Sequence, residues 1–83
     1  MPAYSVRFKG PISGSHRARL HEAGVVIESS EPAMRIGTVK IGQSIHTART
    51  EADSVEDALA TAMEALAPDD VNFTEWEAGP ADG

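Results

Sequence analysis

Apolar and polar residues alternate strictly over Tyr4-Ser5-Val6-Arg7-Phe8-Lys9. This period of two predicts a strand with Tyr4, Val6 and Phe8 on its core side. Gly10-Pro11 ends it. Over 12–24 the pattern is sparser and has two readings. Ser13 or Ser15 can cap a helix that runs through Leu20 and Ala23 and stops at Gly24. Its apolar face would hold Ala18, Leu20 and Ala23 alone. The rival is a strand over Arg17 to His21, turning at Glu22-Ala23-Gly24. Val25-Val26-Ile27 is β-branched and is followed by Ser29-Ser30-Glu31-Pro32, which predicts a short strand and then a loop. A second β-rich stretch runs from Met34 to Thr50, with Ile36, Val39, Ile41 and Ile45 as its apolar members. Within it, Gly42-Gln43-Ser44 is either a hairpin turn or a bulge in one long strand.

From Asp53 onward the period changes to that of a helix. Asp53 or Ser54 can cap it, each followed three residues later by an acid, Glu56 or Asp57. Val55, Ala58, Leu59, Ala62, Met63 and Leu66 form one apolar stripe, and Pro68 ends the helix. Val71 to Trp76 predicts a last strand. Under strict alternation Trp76 faces away from Val71 and Phe73; a bulge would reverse that. The tail 78–83 has few apolar groups to hold it down, so 1–77 is expected as one small domain. Strand, helix, strand, strand, helix, strand is the order of an α+β, ferredoxin-like βαββαβ sandwich: a mainly antiparallel four-stranded sheet with both helices on one face. Without the first helix the alternative is a β-rich start with a single helix, βββαβ.

Charge adds a polarity to this outline. All seven basic residues lie in the first 49 positions, where only three acids oppose them, a balance of +4. From Thr50 there is no Lys or Arg and the balance is −10, which leaves −6 over the 83 residues. The first helix would carry His16, Arg17, Arg19 and His21, and the second would expose Glu56, Asp57 and Glu64. Side by side, they would bring opposite charges together. The net acidity argues against a dedicated nucleic-acid binder. There is no cysteine, which removes disulfides and thiolate chemistry and fits a cytoplasmic location. No apolar run approaches membrane-helix length, so no membrane association is expected. Met1-Pro2-Ala3-Tyr4 has no basic region followed by an apolar stretch, so no signal peptide is expected.

Candidate chemistry is sparse. His16 and His21 are five apart, which does not stack two ligands on one helix face, and His46 lies in a predicted strand. No metal and no cofactor is expected. No glycine pattern positions a serine on a strand-to-helix elbow, and there is no Walker-type loop. Gly10-Pro11-Ile12-Ser13-Gly14-Ser15-His16-Arg17 follows a strand and opens a helix, so its N–H groups can meet an anion. Gly10, Ser13, Gly14, Ser15, Arg17 and Arg19 are the candidate residues for a small anion or ligand. This stretch resembles the phosphate loop of acylphosphatases, ferredoxin-like enzymes with a glycine-rich loop and an arginine. That family also uses an asparagine on the following hairpin, and Glu28 to Met34 has none; the sole asparagine is Asn72. Leu20 to Ile27 resembles the helix-to-strand join of ACT domains, which bind amino acids at dimer interfaces. Asp53 to Leu66 is similar to the helix of HicB-type antitoxins.

The resulting expectation is a small, non-enzymatic protein-interaction or regulatory module, a homodimer or a subunit of a larger complex. Glu56, Asp57, Glu64 and Trp76 are its candidate partner contacts. The alternatives are a ligand-sensing domain binding an anion or amino acid at the Gly10–Arg17 loop, and an antitoxin-like partner of a basic protein.

Overall fold

A computed structural model describes residues 2–81. The chain runs β1 (Ala3–Lys9), α1 (Gly14–Glu22), β2 (Val26–Ile36), β3 (Val39–Glu51), α2 (Val55–Leu66), a 3-10 turn (Asp69–Asn72) and β4 (Thr74–Pro80). It is an α+β fold with one antiparallel sheet in the order β2-β3-β1-β4. Helix α1 packs on β2 and on α2, and α2 packs on β1 and β4. Between helices and sheet lie Val6, Phe8, Leu20, Val25, Ala48, Ala58, Ala62, Leu66 and Phe73, all buried.

The ambiguous segment 12–24 is helical, so the single-helix alternative is excluded. Ser13 caps α1 in a reciprocal box with His16, whose ring replaces the usual Glu or Gln at the third helical position. At the other end Gly24 has φ +87. The Val25 and Gly24 N–H groups donate to the Leu20 and His21 carbonyls at 2.8 and 3.0 Å. This is a Schellman closure, and it buries Leu20 beside Val25. A weak apolar face therefore suffices, because both ends are tied.

Helix α2 is capped by Ser54, whose Oγ accepts from the Asp57 N–H at 3.1 Å. Ala58, Ala62 and Leu66 of its stripe are fully buried, and Leu59 is half-buried against the core.

The β2–β3 hairpin departs most from expectation. The loop expected at Ser29–Pro32 is strand, paired with Ser44–Thr47. The turn is Gly37-Thr38, between the paired Ile36 and Val39, with φ +62 at Gly37. Between the pairs Pro32–Ser44 and Met34–Ile41 the register slips by one residue on β3, so 42–43 carry a bulge rather than the turn. A second slip puts an extra residue, Glu28, on β2. The side chains at 33–35 and 39–43, including the apolar Met34, Val39 and Ile41, lie outside the described residues.

The last strand also begins later than expected. Residues 69–72 form the 3-10 turn, and Val71 is 80% exposed. β4 continues through Ala78–Pro80, paired with Tyr4–Val6 of β1, where a tail was expected; Asp82 and Gly83 lie outside the described residues. Glu75 has φ +56 and sits in a register slip opposite Arg7–Lys9. This bulge lets Phe73 and Trp76 face the same way. Trp76 is therefore not on the open sheet face. Its ring stacks on Phe8, with centroids 4.8 Å apart and planes at 24°, and its indole N–H donates to the Phe73 carbonyl at 3.2 Å.

Candidate functional site

The Gly10–Arg19 segment is tied to the sheet at Gly10 and capped by its own side chains at Ser13 and His16. The Gly10 N–H donates to the Ser44 carbonyl at 3.0 Å. Its Cα lies against Phe73 so closely that a Cβ there would sit 2.6 Å from Cδ1 of that ring. Ser13 Oγ accepts from the His16 N–H at 3.2 Å and contacts Ser15 Oγ at 2.9 Å. The two arginines diverge. Arg17 Nη2 lies 3.4 Å from Ser30 Oγ on β2. Arg19 donates to the Ala67 carbonyl at the C-terminal end of α2, where a cation suits the helix dipole. Gly10, Ser13, Gly14, Ser15, Arg17 and Arg19 are thus neighbours in the chain that do not converge on one point.

Two hydroxyl–imidazole contacts lie in and beside this segment, and spacing along the chain does not reveal either. His16 Nε2 lies 3.1 Å from Asp69 Oδ2, and its Nδ1 lies 3.1 Å from Ser13 Oγ. The order Ser–His–Asp is present, but Nδ1 also accepts the Ser13 N–H at 3.1 Å. One ring lone pair serves two donors, so this contact is a helix cap. The ring also packs edge-on against Phe73 at 5.4 Å.

His46 is arranged differently. It is 2% exposed and tilted against Phe8 at 5.4 Å. Its Nε2 lies 2.9 Å from the Gly10 carbonyl oxygen. A carbonyl only accepts, so Nε2 carries the proton. That leaves Nδ1 to meet Ser30 Oγ at 2.6 Å. Among the described residues no group of three or more His, Asp or Glu side chains could hold a metal ion.

The acidic candidates Glu56, Asp57 and Glu64 are exposed on α2. Among the described residues no α1 cation pairs with them. The expected face-to-face charge match is replaced by Arg19 on a carbonyl and His16 on Asp69.

The sheet face away from the helices is uncovered and polar. Arg7, exposed, is at its centre on β1. Ser5, Ser29, Glu31, Ile45 and Thr47 surround it on one side and Glu77 and Gly79 on the other. Glu77 is its direct cross-strand neighbour. The nearby Lys9 pairs with Glu75 at 3.4 Å; among the described residues Arg7, Glu31 and Glu77 have no ion-pair partner. Both outer strands are interrupted, β2 by Pro32 and the Glu28 bulge, β4 by the Glu75 bulge and Pro80. Such edges resist strand addition. Comparisons with protein-family models, curated proteins and solved structures return no match to this chain.

Proposed function

We propose that this chain is a non-enzymatic interaction module of ferredoxin-like βαββαβ design, with the 3-10 turn inserted before the last strand. Its binding surface is the open sheet face, and its partner there is a second copy of itself. The observation that carries this reading is Arg7, a cation at the centre of the face, with the carboxylates Glu31 and Glu77 on either side, none of the three paired among the described residues. A face of one sign repels its own copy. A face with a central cation and flanking anions can meet itself about a two-fold axis, each Arg7 reaching a carboxylate of the other copy. The interrupted edges disfavour strand addition, so the sheet would be engaged by its face rather than by its edges.

The contact is weak by its size. Four strands about 4.8 Å apart, each roughly seven residues long at ~3.3 Å per residue, give a face on the order of 450 Å². Two such faces bury on the order of 900 Å² in all, below the usual range for a stable complex. Among the described residues Ile45 and Val26 are its larger apolar groups. A reversible dimer of micromolar affinity or weaker is expected, and salt should loosen it. Sedimentation across a concentration series tests this: wild type should shift toward dimer as concentration rises, and Arg7→Glu should remain monomeric. An identical profile for the two proteins would sink the proposal.

A further inference from the structure

We propose that Ser30 is a reactive hydroxyl, an acceptor of acyl groups from activated esters, with His46 as its proton acceptor and Arg17 beside the charge that develops. The site is separate from the open sheet face. Ser30 reaches the buried His46 ring and so lies on the helix-covered side of the sheet, at the outer strand β2.

A serine hydroxyl becomes a nucleophile when a base with a free lone pair is held against it in the correct tautomer. His46 meets that requirement. Its Nε2–H is fixed on the Gly10 carbonyl, and the Gly10 N–H is itself anchored on Ser44. The ring is packed against Phe8 and cannot swing away. Nδ1 therefore points at Ser30 Oγ alone, at 2.6 Å. Once protonated, the ring keeps its Nε2–H on the same carbonyl, now as a charge-assisted bond. The other imidazole in contact with a serine, His16, has its Nδ1 occupied by a backbone N–H. Ser54 is a helix cap. Ser30 is exposed, so a small ester can approach Oγ from solvent.

The step is simple to balance. Ser30 Oγ attacks the ester carbonyl carbon while its proton moves to His46 Nδ1. The carbonyl oxygen becomes negative beside the Arg17 guanidinium, whose Nη2 is 3.4 Å from Oγ. The carbon–oxygen bond to the leaving group then breaks, an aryloxide departs, and His46 returns its proton to water. The products are Ser30 ester, aryloxide and one proton. Arg17 is the one cation near Oγ among the described residues. With so little oxyanion support the reaction should be stoichiometric rather than a rapid turnover.

The test uses the full chain and p-nitrophenyl acetate, reading p-nitrophenolate release and locating the acetyl group by peptide mass spectrometry. One acetyl per chain is expected at Ser30. It should be absent in Ser30→Ala and form at least about tenfold more slowly in Arg17→Ala. His46→Gln keeps a donor for the Gly10 carbonyl and should slow acylation further. If that variant fails to fold, the two surface variants carry the test unaided. Acetylation confined to amino groups, or equal at Ser29 and Ser30, would overturn the proposal.

Discussion

Replacing Gly10 by alanine tests the packing of the loop against the last strand. An added Cβ would lie 2.6 Å from Phe73 Cδ1 and 3.0 Å from the Asn72 carbonyl oxygen. Neither neighbour can yield easily. The Asn72 oxygen belongs to the backbone. The Phe73 ring is 4% exposed and is enclosed by Phe8 edge-on at 5.5 Å, His16 at 5.4 Å and Trp76 at 6.5 Å. Forcing one carbon into such a core costs about 1–3 kcal/mol. A φ of +156 at this position adds on the order of 1–3 kcal/mol for a residue with a side chain. The sum, roughly 2–6 kcal/mol, is a large part of the ~5–15 kcal/mol that holds a domain together. At about 4–8 °C per kcal/mol for a chain of this length, melting should fall by at least about 8 °C. Calorimetry and urea unfolding would measure it. Gly14→Ala is the internal control: a Cβ there meets nothing within 4 Å, and the change should be neutral or slightly stabilising. A loss below about 0.5 kcal/mol for Gly10→Ala, the scale of an ordinary surface change, would refute the packing described for this loop.

Other expectations follow from the same geometry. Leu66→Ala should cost about 2–5 kcal/mol by urea unfolding, since the side chain is wholly buried, and Leu59→Ala distinctly less because Leu59 is half-buried. Ser54→Ala should cost about 1 kcal/mol by removing the cap on the Asp57 N–H, visible as a small, cooperative drop in melting temperature.

The parts of this fold that the sequence discloses are those with an unbroken local period. β1 and α2 follow from the spacing of their apolar residues, and the Gly24 stop follows from a helix end that needs a left-handed residue. The parts it conceals depend on a partner strand. Ser29-Ser30-Glu31-Pro32 has loop composition, yet β3 supplies its hydrogen bonds and draws it into the sheet. Trp76 faces the core because Glu75 takes up one extra residue, which no alternation count foresees. The Ser30–His46 contact has the same origin. Ile27 pairs with Ala48, and in unbroken register Ser30 would meet Ile45; the extra residue at Glu28 moves it opposite His46. The candidate anion residues are close along the chain. The helix then directs Arg17 to β2 and Arg19 to the end of α2, and their charge is dispersed.

Self-association through the open sheet face is most directly tested by sedimentation equilibrium of wild type and Arg7→Glu, at low and physiological salt, up to millimolar concentration. The expected result is a reversible monomer–dimer equilibrium for wild type that weakens with salt, and a monomer for Arg7→Glu with an unchanged melting temperature. A wild-type chain that remains monomeric throughout, or an Arg7→Glu chain that dimerises equally well, would contradict it.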